Sequence, residues 1–346
     1  MVTPSPAAAA DKTRTVCRAR ISSLATYVPP HVLTNADLEK MVDTSDDWIT
    51  QRTGIRERHI VDPGVATSDL AVEAAKVAIQ RAGLTPPDID FIVVGTTTPD
   101  MFFPSTACIV QHKIGATNAW GFDLFAACSG FTYSLTTAAQ MVATGASKHA
   151  LVIGADVMSS IIDYTDRATC VIFGDGAGAA VVEASGEPDV GIIDFENYID
   201  GSGGEALCMP AGGSLRPATI ETVQQRQHYV KQDGAAVFKF AVRNTEEACR
   251  RILQRNNLDP SRIDLLVSHQ ANRRIILSAA EKLGLPEEKI VINIEKYGNT
   301  TAATIPLALA DAVCDRRLKR GDLLLLVSVG AGFTVGAVLL RWGLKE

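Results

Sequence analysis

The chain has 346 residues and a mass of 36.9 kDa. This exceeds the ~100–200 residues usual for one domain and predicts two domains or one large two-part unit. Its composition, 47% hydrophobic and 21% charged, is typical of a folded globular protein and excludes disorder along the whole chain. Because 33 basic residues face 39 acidic ones, the net charge of −6 argues against binding to nucleic acid through phosphate contacts.

Residues 1–14 are polar and interrupted by proline, so we expect a disordered tail rather than a secretory signal. No stretch approaches the ~18 uncharged apolar residues of a membrane span, and LLLLV at 323–327 predicts a buried strand. The seven cysteines include no CxxC pair and no spacing that suits a metal. We therefore expect a soluble protein of the reducing cytoplasm, without a disulfide scaffold.

An internal repeat organises the chain. Residues 84–93, LTPPDIDFIV, match residues 258–267, LDPSRIDLLV, at a constant offset of 174. Identities at the same offset, such as Glu73 with Glu247, extend the match to an amphipathic helical stretch before each turn. The apolar runs FIVVG and LLVSH predict strands that are buried on both faces of a sheet.

A second predicted helix follows each of these strands. HKIGA at 112–116 resembles EKLGL at 281–285, now at an offset of 169, and later strands and Gly-rich turns repeat as well. We therefore predict two similar α/β halves, 15–190 and 191–346, each of a size usual for one domain. Polar, Gly-rich residues 198–234 form a long excursion from the second half, and loops of that length are usually functional.

Cys128, in LFAACSGFTYSL, lies between an apolar strand pattern and a helical pattern. A thiol at a helix N-terminus is close to backbone N–H groups and to the positive end of the helix dipole, so we expect a lowered pKa. Small neighbours leave room for a substrate. Most single cysteines are inert buried residues, and we expect Cys170, Cys249 and Cys314 to be core positions of that kind.

Two polar residues of the second half have related positions. His269 directly follows the repeat strand, where α/β sheets place groups that contact ligands. Asn299 lies in a strand–turn–helix passage, two residues from the position that an offset of 169 makes equivalent to Cys128. Local turn structure also explains an asparagine there. If the halves pack with pseudo-twofold symmetry, these residues form a Cys–His–Asn set that suits thiol acylation and stabilisation of an oxygen anion.

Several motifs together are similar to one family. They are DDWITQRTGI, ACSGF, DRATCVIFGDGAGA, HQANRRI, YGNTTAATIP and GAGFT. In this order they resemble β-ketoacyl-acyl-carrier-protein synthase III of the thiolase superfamily, over about residues 17–346. The resemblance implies an α/β thiolase fold, with duplicated halves in a five-layered αβαβα arrangement, and a cytoplasmic homodimer.

The resemblance also implies an acyltransferase that initiates fatty-acid synthesis. An acyl group from acetyl-CoA or another short acyl-CoA moves to the cysteine, and malonyl-acyl-carrier protein then loses CO₂ and condenses with it to give 3-ketoacyl-acyl-carrier protein. The implied partners are acyl-CoA, malonyl-acyl-carrier protein and a second copy of the chain, with no nucleic acid and no membrane. No metal and no permanently bound cofactor is expected.

The same resemblance assigns roles to individual residues. The catalytic residues are Cys128, His269 and Asn299, and the oxyanion hole consists of the backbone N–H groups of Cys128 and Ala331. The residues implied in CoA binding are Trp48, Arg52, Thr53, Arg167 and Asn272, with Trp48 and Arg167 stacking on the adenine. Those implied in carrier-protein binding are Gln270 and Arg274. The acyl pocket is expected to include Phe103, which reaches the partner subunit, and Phe173.

The sequence departs from the family pattern at two places. Ala331 stands where many members have glycine, which leaves the backbone N–H intact. Residues 224–229 are longer and more polar than the usual segment near the acyl pocket, so primer length stays open. Two other functions stay open as well: an acyltransferase or ketosynthase of specialised metabolism with a different acceptor or a longer primer, and a non-catalytic carrier-protein scaffold, which has no need of all three catalytic residues.

Overall fold

The structure, a computed structural model, describes residues 18–344. The tail predicted at 1–14 lies outside the described residues. None of the helices in the described part of the chain is long and apolar enough to cross a membrane.

The first half, as far as it is described, contains strands and helices in alternation. Its strands are β1 (Ala19–Tyr27), β2 (Val32–Thr34), β3 (Glu57–His59), β4 (Phe91–Gly95), β5 (Trp120–Leu124), β6 (His149–Asp156) and β7 (Gly176–Ala184). Its helices are α1 (Asn35–Leu38), α2 (Asp46–Thr53), α3 (Thr67–Arg81), α4 (Thr106–Ile114), α5 (Gly130–Ala143) and α6 (Arg167–Cys170).

The second half contains a similar series. Its strands are β8 (Gly191–Ile199), β9 (Leu207–Cys208), β10 (Lys231–Gln232), β11 (Leu265–Ser268), β12 (Leu323–Gly330) and β13 (Thr334–Arg341). Its helices are α7 (Ile220–Gln224), α8 (Gly234–Arg255), α9 (Arg273–Leu283), α10 (Ile294–Tyr297) and α11 (Thr304–Cys314).

The two main sheets have the same topology. The first has the order β1-β7-β6-β4-β5, in which β6, β4 and β5 are parallel and β7 and β1 run antiparallel to their neighbours. The second has the order β8-β13-β12-β11, with β12 and β11 parallel and the other pairs antiparallel. A parallel bridge from Leu266 to Ile290 takes the place that β5 has beside β4. The predicted duplication is therefore present, while the boundary at 190/191 stays a prediction.

The repeat offset varies along the chain. α3 and α8 end 174 residues apart and β4 and β11 begin 174 apart, whereas α4 and α9 end 169 apart. The short 3₁₀ turns Ala127–Ser129 and Thr301–Ala303 return to the offset of 174. Cys128 therefore corresponds to Ala302, three residues after Asn299, and the equivalence obtained with an offset of 169 is wrong.

The helices and sheets form five layers. Helices α3 and α4 cover the outer face of the first sheet, α5 and α11 lie between the sheets, and α8 and α9 cover the second. In β4, Phe91 and Val93 pack in the central layer, while Ile92 and Val94 face α3 and α4. Because both of its faces are covered, β4 is apolar throughout, and each large buried side chain in it contributes about 1.5–3 kcal/mol. The predicted αβαβα arrangement is confirmed.

The 198–234 excursion is partly ordered by its own hydrogen bonds. β9 and β10 pair antiparallel over two residues, and α7 lies between them. Cys170 and Cys249 are buried as predicted, but the prediction for Cys314 is wrong, because this last residue of α11 is exposed.

Candidate active site

Cys128 lies in the tight turn that connects β5 to α5, and it is 7% exposed. The end of β12 approaches this turn very closely. A Cβ added at Gly330 would lie 2.8 Å from the Cys128 nitrogen and 2.9 Å from the Ala126 carbonyl oxygen, so glycine is required for the contact. Cys128, the predicted nucleophile of the first half, is thus held against a strand of the second half.

The pKa of the Cys128 thiol is raised, contrary to the expectation from the sequence. Burial raises this pKa to about 12, and the Asp156 carboxylate adds to the increase. The backbone N–H of Cys128 and the Asn299 side chain act in the opposite direction, with a smaller effect. The prediction is wrong because burial destabilises the thiolate more than the N–H groups of the turn stabilise it. The resting thiol is therefore protonated.

His269 follows β11 and is 4% exposed. Its backbone N–H donates to the Val327 carbonyl at 2.7 Å, and its Nδ1 lies 2.6 Å from Thr304 Oγ1. Its Nε2 is buried and has no hydrogen-bond partner among residues 18–344. Burial lowers the pKa of His269 to about 3, so the ring is neutral at neutral pH.

Asn299 is fixed by its backbone and by its own side-chain oxygen. Its N–H donates to the Ile172 carbonyl at 2.9 Å, and its carbonyl accepts from Gly174 at 3.1 Å. The backbone N–H of Thr301 donates to Asn299 Oδ1 at 2.9 Å. Because Oδ1 is used inside the turn, the Nδ2 amide group is the donor that the side chain can offer.

The three predicted catalytic residues line one cavity. Cys128 comes from the first half, and His269 and Asn299 come from the second. Ala331 and Thr53 line the same space. The structure therefore brings together a thiol, a neutral imidazole and an amide donor, an arrangement that suits nucleophilic attack and stabilisation of an oxygen anion.

A buried carboxylate, which the sequence analysis missed, connects the two halves beside this cavity. Asp156, at the end of β6, is 0% exposed. Its Oδ1 accepts from the backbone N–H groups of Thr97 and Thr98 at 2.7 and 3.1 Å, and its Oδ2 accepts from the Thr301 hydroxyl and from Ala302 N–H. Its place at the end of a buried strand is the signal that could have identified it. No sequence signal identifies Thr304 as the partner of His269.

Comparison with known proteins gives consistent matches. The family model described as 3-oxoacyl-[acyl-carrier-protein (ACP)] synthase III matches residues 122–201, and the model of its C-terminal part matches 253–342. A β-ketoacyl-[acyl-carrier-protein] synthase III from Solibacter usitatus is 60% identical over 327 residues, which cover 94% of this chain and 99% of that protein. The chain belongs to this family.

Solved structures agree with this assignment. The 3-oxoacyl-[acyl-carrier-protein] synthase III from Aquifex aeolicus VF5 is 45% identical, covers 94% of this chain and 100% of its own, and superposes with a TM-score of 0.86. The priming β-ketosynthase of the R1128 polyketide pathway is 34% identical over 96% of this chain and 99% of its own, with a TM-score of 0.86. The thiolase fold is confirmed, and this member of the synthase III family is an acyltransferase-type condensing enzyme.

Trp48, a predicted CoA residue of the synthase, is covered by two guanidinium groups. The Cζ atoms of Arg167 and Arg52 lie 5.0 and 5.4 Å from the centre of the Trp48 ring. Arg167 also donates to the Asp43 carbonyl at 2.8 Å. A separation of 5.0 Å leaves no room for a third planar group, so a base that binds between Trp48 and Arg167 requires the arginine to move.

The other two predicted CoA residues, Thr53 and Asn272, line the cavity that contains Cys128, His269 and Asn299. The Thr53 hydroxyl donates to the Ile49 carbonyl at 2.7 Å. Asn272 caps α9 by accepting from the Arg274 N–H at 2.9 Å, and its Nδ2 donates to the Arg52 carbonyl at 2.9 Å. Both side chains are thus engaged in protein hydrogen bonds at the cavity wall.

Gln270, predicted to bind the carrier protein, is 1% exposed. Its Nε2 donates to the Ser268 and Val291 carbonyls at 2.8 and 3.0 Å, and its Oε1 accepts from Asn293 N–H at 3.1 Å. The prediction for Gln270 is wrong, because a buried side chain with these bonds is not available to a docking protein. Its bonds instead hold the segment around Asn293 beside β11.

Arg274 is exposed, with its Cζ 5.2 Å from the ring of Phe238, which lines the cavity that contains Cys128. Its position beside the cavity agrees with a docking role, which stays a prediction. Phe173 is buried and lines both the cavity that contains His269 and Asn299 and a second, apolar cavity of about 140 Å³ next to Cys128. Phe103 is 85% exposed and lines neither cavity in its own chain. Its reach into a partner subunit stays a prediction.

Proposed function

We propose that this synthase joins an acyl group from a short acyl-CoA, acetyl-CoA first, to the two-carbon unit of malonyl-acyl-carrier protein. The observation that carries the proposal is the meeting of Cys128, His269 and Asn299 in one cavity. The product is 3-ketoacyl-acyl-carrier protein, which starts fatty-acid synthesis. The reaction needs no bound cofactor, because acyl-CoA enters and leaves as a substrate.

In the first step, Cys128 Sγ attacks the thioester carbonyl of acyl-CoA. The new S–C bond forms, the bond from carbon to the CoA sulfur breaks, and the thiol proton of Cys128 ends on the departing CoA. The backbone N–H groups of Cys128 and Ala331 stabilise the oxygen anion of the tetrahedral intermediate. The raised pKa of the thiol means that this proton must move during the attack rather than before it.

In the second step, the malonyl group loses CO₂ and the electron pair stays on the neighbouring carbon as an enolate. His269 Nε2 and Asn299 Nδ2 donate hydrogen bonds to the enolate oxygen. The carbon then attacks the acyl-cysteine, a C–C bond forms, and the S–C bond to Cys128 breaks. The Cys128 sulfur leaves as a thiolate and takes one proton from solvent, which restores the resting thiol. In the neutral tautomer that carries its proton on Nε2, Nδ1 is a hydrogen-bond acceptor. In the active tautomer the Thr304 hydroxyl therefore donates to Nδ1, 2.6 Å away, instead of to the Thr301 carbonyl, to which it donates at 3.0 Å in the structure.

We assign the binding of the CoA nucleotide to Trp48, Arg52 and Arg167, and the docking of the carrier protein to Arg274. The guanidinium groups over the Trp48 ring and the exposed position of Arg274 support these roles. We further propose that the enzyme acts in the cytoplasm, where a reducing environment keeps Cys128 a free thiol.

We also propose a homodimer. β5 is an edge strand of the first sheet; its first residue, Trp120, is 53% exposed, and Phe125, which directly follows the strand, is 64% exposed. Phe102 and Phe103, in the segment before α4, are 77% and 85% exposed. Unpaired edge strands and exposed aromatic side chains are both features that a partner subunit covers.

Condensation with a panel of acyl-CoA primers and malonyl-acyl-carrier protein tests the proposal, with products identified by mass. We expect the two-carbon primer to give 3-ketobutyryl-carrier protein and the Cys128→Ser variant to give no product. Preference for long primers, or transfer to an acceptor other than malonyl-carrier protein, would instead favour a specialised pathway such as that of the R1128 relative. Absence of product with every primer would contradict the proposed condensation.

A further inference from the structure

The apolar cavity beside Cys128 has walls from two segments that are distant in sequence. Ile161 comes from the loop after β6, whereas Leu207 and Val230 come from the 198–234 excursion. The Val230 N–H donates to the Ile161 carbonyl at 2.9 Å, which joins the two walls directly. The width of this cavity therefore depends on how firmly the excursion is held to the loop.

A second, stronger connection lies next to this backbone bond. Arg226 Nε donates to Asp163 Oδ2 at 2.6 Å, and a terminal N–H of the same guanidinium donates to Oδ1, a bidentate geometry. The Asp163 side chain is only 4% exposed and also accepts from the N–H and hydroxyl of Thr165 at 2.9 and 2.7 Å. The Arg226 Cζ lies 5.1 Å from the ring of Tyr229. The guanidinium is thus fixed from two sides.

The pair is placed where it controls both walls. Asp163 lies two residues after Ile161, and Arg226 lies four residues before Val230. The backbone of Arg226 has a φ of 56°, in the left-handed region that residues other than glycine rarely adopt. The contact with Asp163 holds the excursion in this turn.

We propose that the Asp163–Arg226 pair sets the width of the acyl cavity and thereby makes the synthase select short primers over longer ones. Neither residue lines the cavity, so both are positioning residues that act through Ile161 and Val230. The inference rests on the proposed function, because it assigns the cavity beside Cys128 to the acyl chain of the primer.

The test compares kcat/KM for hexanoyl-CoA with kcat/KM for acetyl-CoA in the full enzyme with malonyl-acyl-carrier protein. In Arg226→Gln, we expect the hexanoyl-to-acetyl ratio to rise about tenfold, since discrimination by chain length in an apolar pocket is of that order per methylene. In Asp163→Asn and in the double variant, the ratio should rise to the same level, because the two residues act as one unit.

The chain offers a closely matched control. Arg255 is 47% exposed, as Arg226 is, and makes a bidentate pair with Asp194 at 2.7 and 3.0 Å outside either cavity. Arg255→Gln removes the same charge and a bidentate pair, together with bonds to Glu196 and to the Phe195 carbonyl. Because none of these contacts lies at either cavity, the ratio should stay unchanged. A general loss of stability would affect both variants alike.

The outcomes separate this inference from the proposed function. Suppose that the wild type is active. If Arg226→Gln then has the wild-type hexanoyl-to-acetyl ratio, or if Arg255→Gln shifts this ratio equally, the proposed role of the pair is wrong while the proposed function stands. A wild type that condenses no acyl-CoA at all contradicts the proposed function. If Arg226→Gln does not fold, Arg226→Lys keeps one contact to Asp163 and should give an intermediate ratio, and a ratio equal to wild type in that variant would contradict the inference.

Discussion

At the scale of single residues, the site combines a protonated thiol with a neutral imidazole. Burial causes both states, since it raises the pKa of Cys128 and lowers that of His269. Because its ring is neutral, His269 can act on an enolate as a hydrogen-bond donor through Nε2, and not as a permanent positive charge. Since Cys128 is assigned to acylation and His269 to decarboxylation, we predict that the two half-reactions respond differently to substitution of His269.

His269→Ala and Asn299→Ala should still accept an acyl group at Cys128 but lose decarboxylation of malonyl-acyl-carrier protein. Removal of one donor to a developing oxygen anion slows such steps by about 100-fold to 1,000-fold. Acylation is measured by intact-protein mass and decarboxylation by CO₂ release. His31→Ala, an exposed histidine outside the cavity, serves as the control. Normal CO₂ release in both site variants would show that the assigned roles are wrong.

The lowered pKa of His269 predicts a specific acid sensitivity. The unfolded chain binds a proton on this residue near its ordinary pKa of 6.5, whereas the folded protein binds it only near 3, so stability falls as the pH falls through this window. The loss from this one group amounts to about 2 kcal/mol between pH 6.5 and roughly pH 5.

Urea unfolding at these two pH values measures the effect. His269→Gln should lose less free energy of unfolding than the wild type on acidification, because glutamine does not titrate. An equal loss in both proteins would mean that His269 is protonated as readily in the folded state as in the unfolded one.

At the scale of secondary structure, the site depends on the contact between the end of β12 and the turn before α5. Gly330→Ala places a Cβ 2.8 Å from the Cys128 nitrogen, so either the strand or the turn must shift. Since misplacement of a reacting group by about 1 Å costs on the order of 100-fold in rate, we expect acylation of Cys128 to fall by that factor.

Gly186→Ala is the matched control, because no heavy atom lies within 4 Å of the added Cβ there. Both variants are compared by the rate of acylation and by thermal unfolding. Acylation at the wild-type rate in Gly330→Ala would contradict the close contact.

The elements show why part of the site was predictable. The positions of Cys128 and His269 after predicted strands single them out in the sequence, because sheet topology fixes where strand ends meet. Asn299 was predicted from a repeat equivalence that the structure contradicts and from the resemblance to the family. The direction of the Cys128 pKa was not predictable, since burial in a closed cavity depends on both halves together. The inward orientation of Gln270 and the contact of Thr304 with His269 depend on side-chain packing that leaves no periodic signal in the sequence.

At the scale of the whole molecule, neither half contains a complete site, because Cys128 belongs to one and His269 and Asn299 belong to the other. Asp156 ties the halves together through buried hydrogen bonds. The same dependence extends to a second subunit if the exposed edge strand β5 pairs with its copy.

We expect sedimentation equilibrium to give twice the chain mass of 36.9 kDa. Phe102→Asp should weaken this association, since it places a charge among the exposed aromatic side chains near β5. Leu215→Asp is the control, because Leu215 is 98% exposed in the excursion. A fully active particle with the mass of one chain would contradict the dimer.

The central claim, that Cys128 accepts the acyl group, is tested most directly by mass spectrometry of the protein after incubation with acetyl-CoA and removal of excess reagent. We predict the mass increase of one acetyl group, located on the peptide that contains Cys128 and absent from Cys128→Ser. An acetyl group located on another cysteine, or retained in Cys128→Ser, would contradict the account.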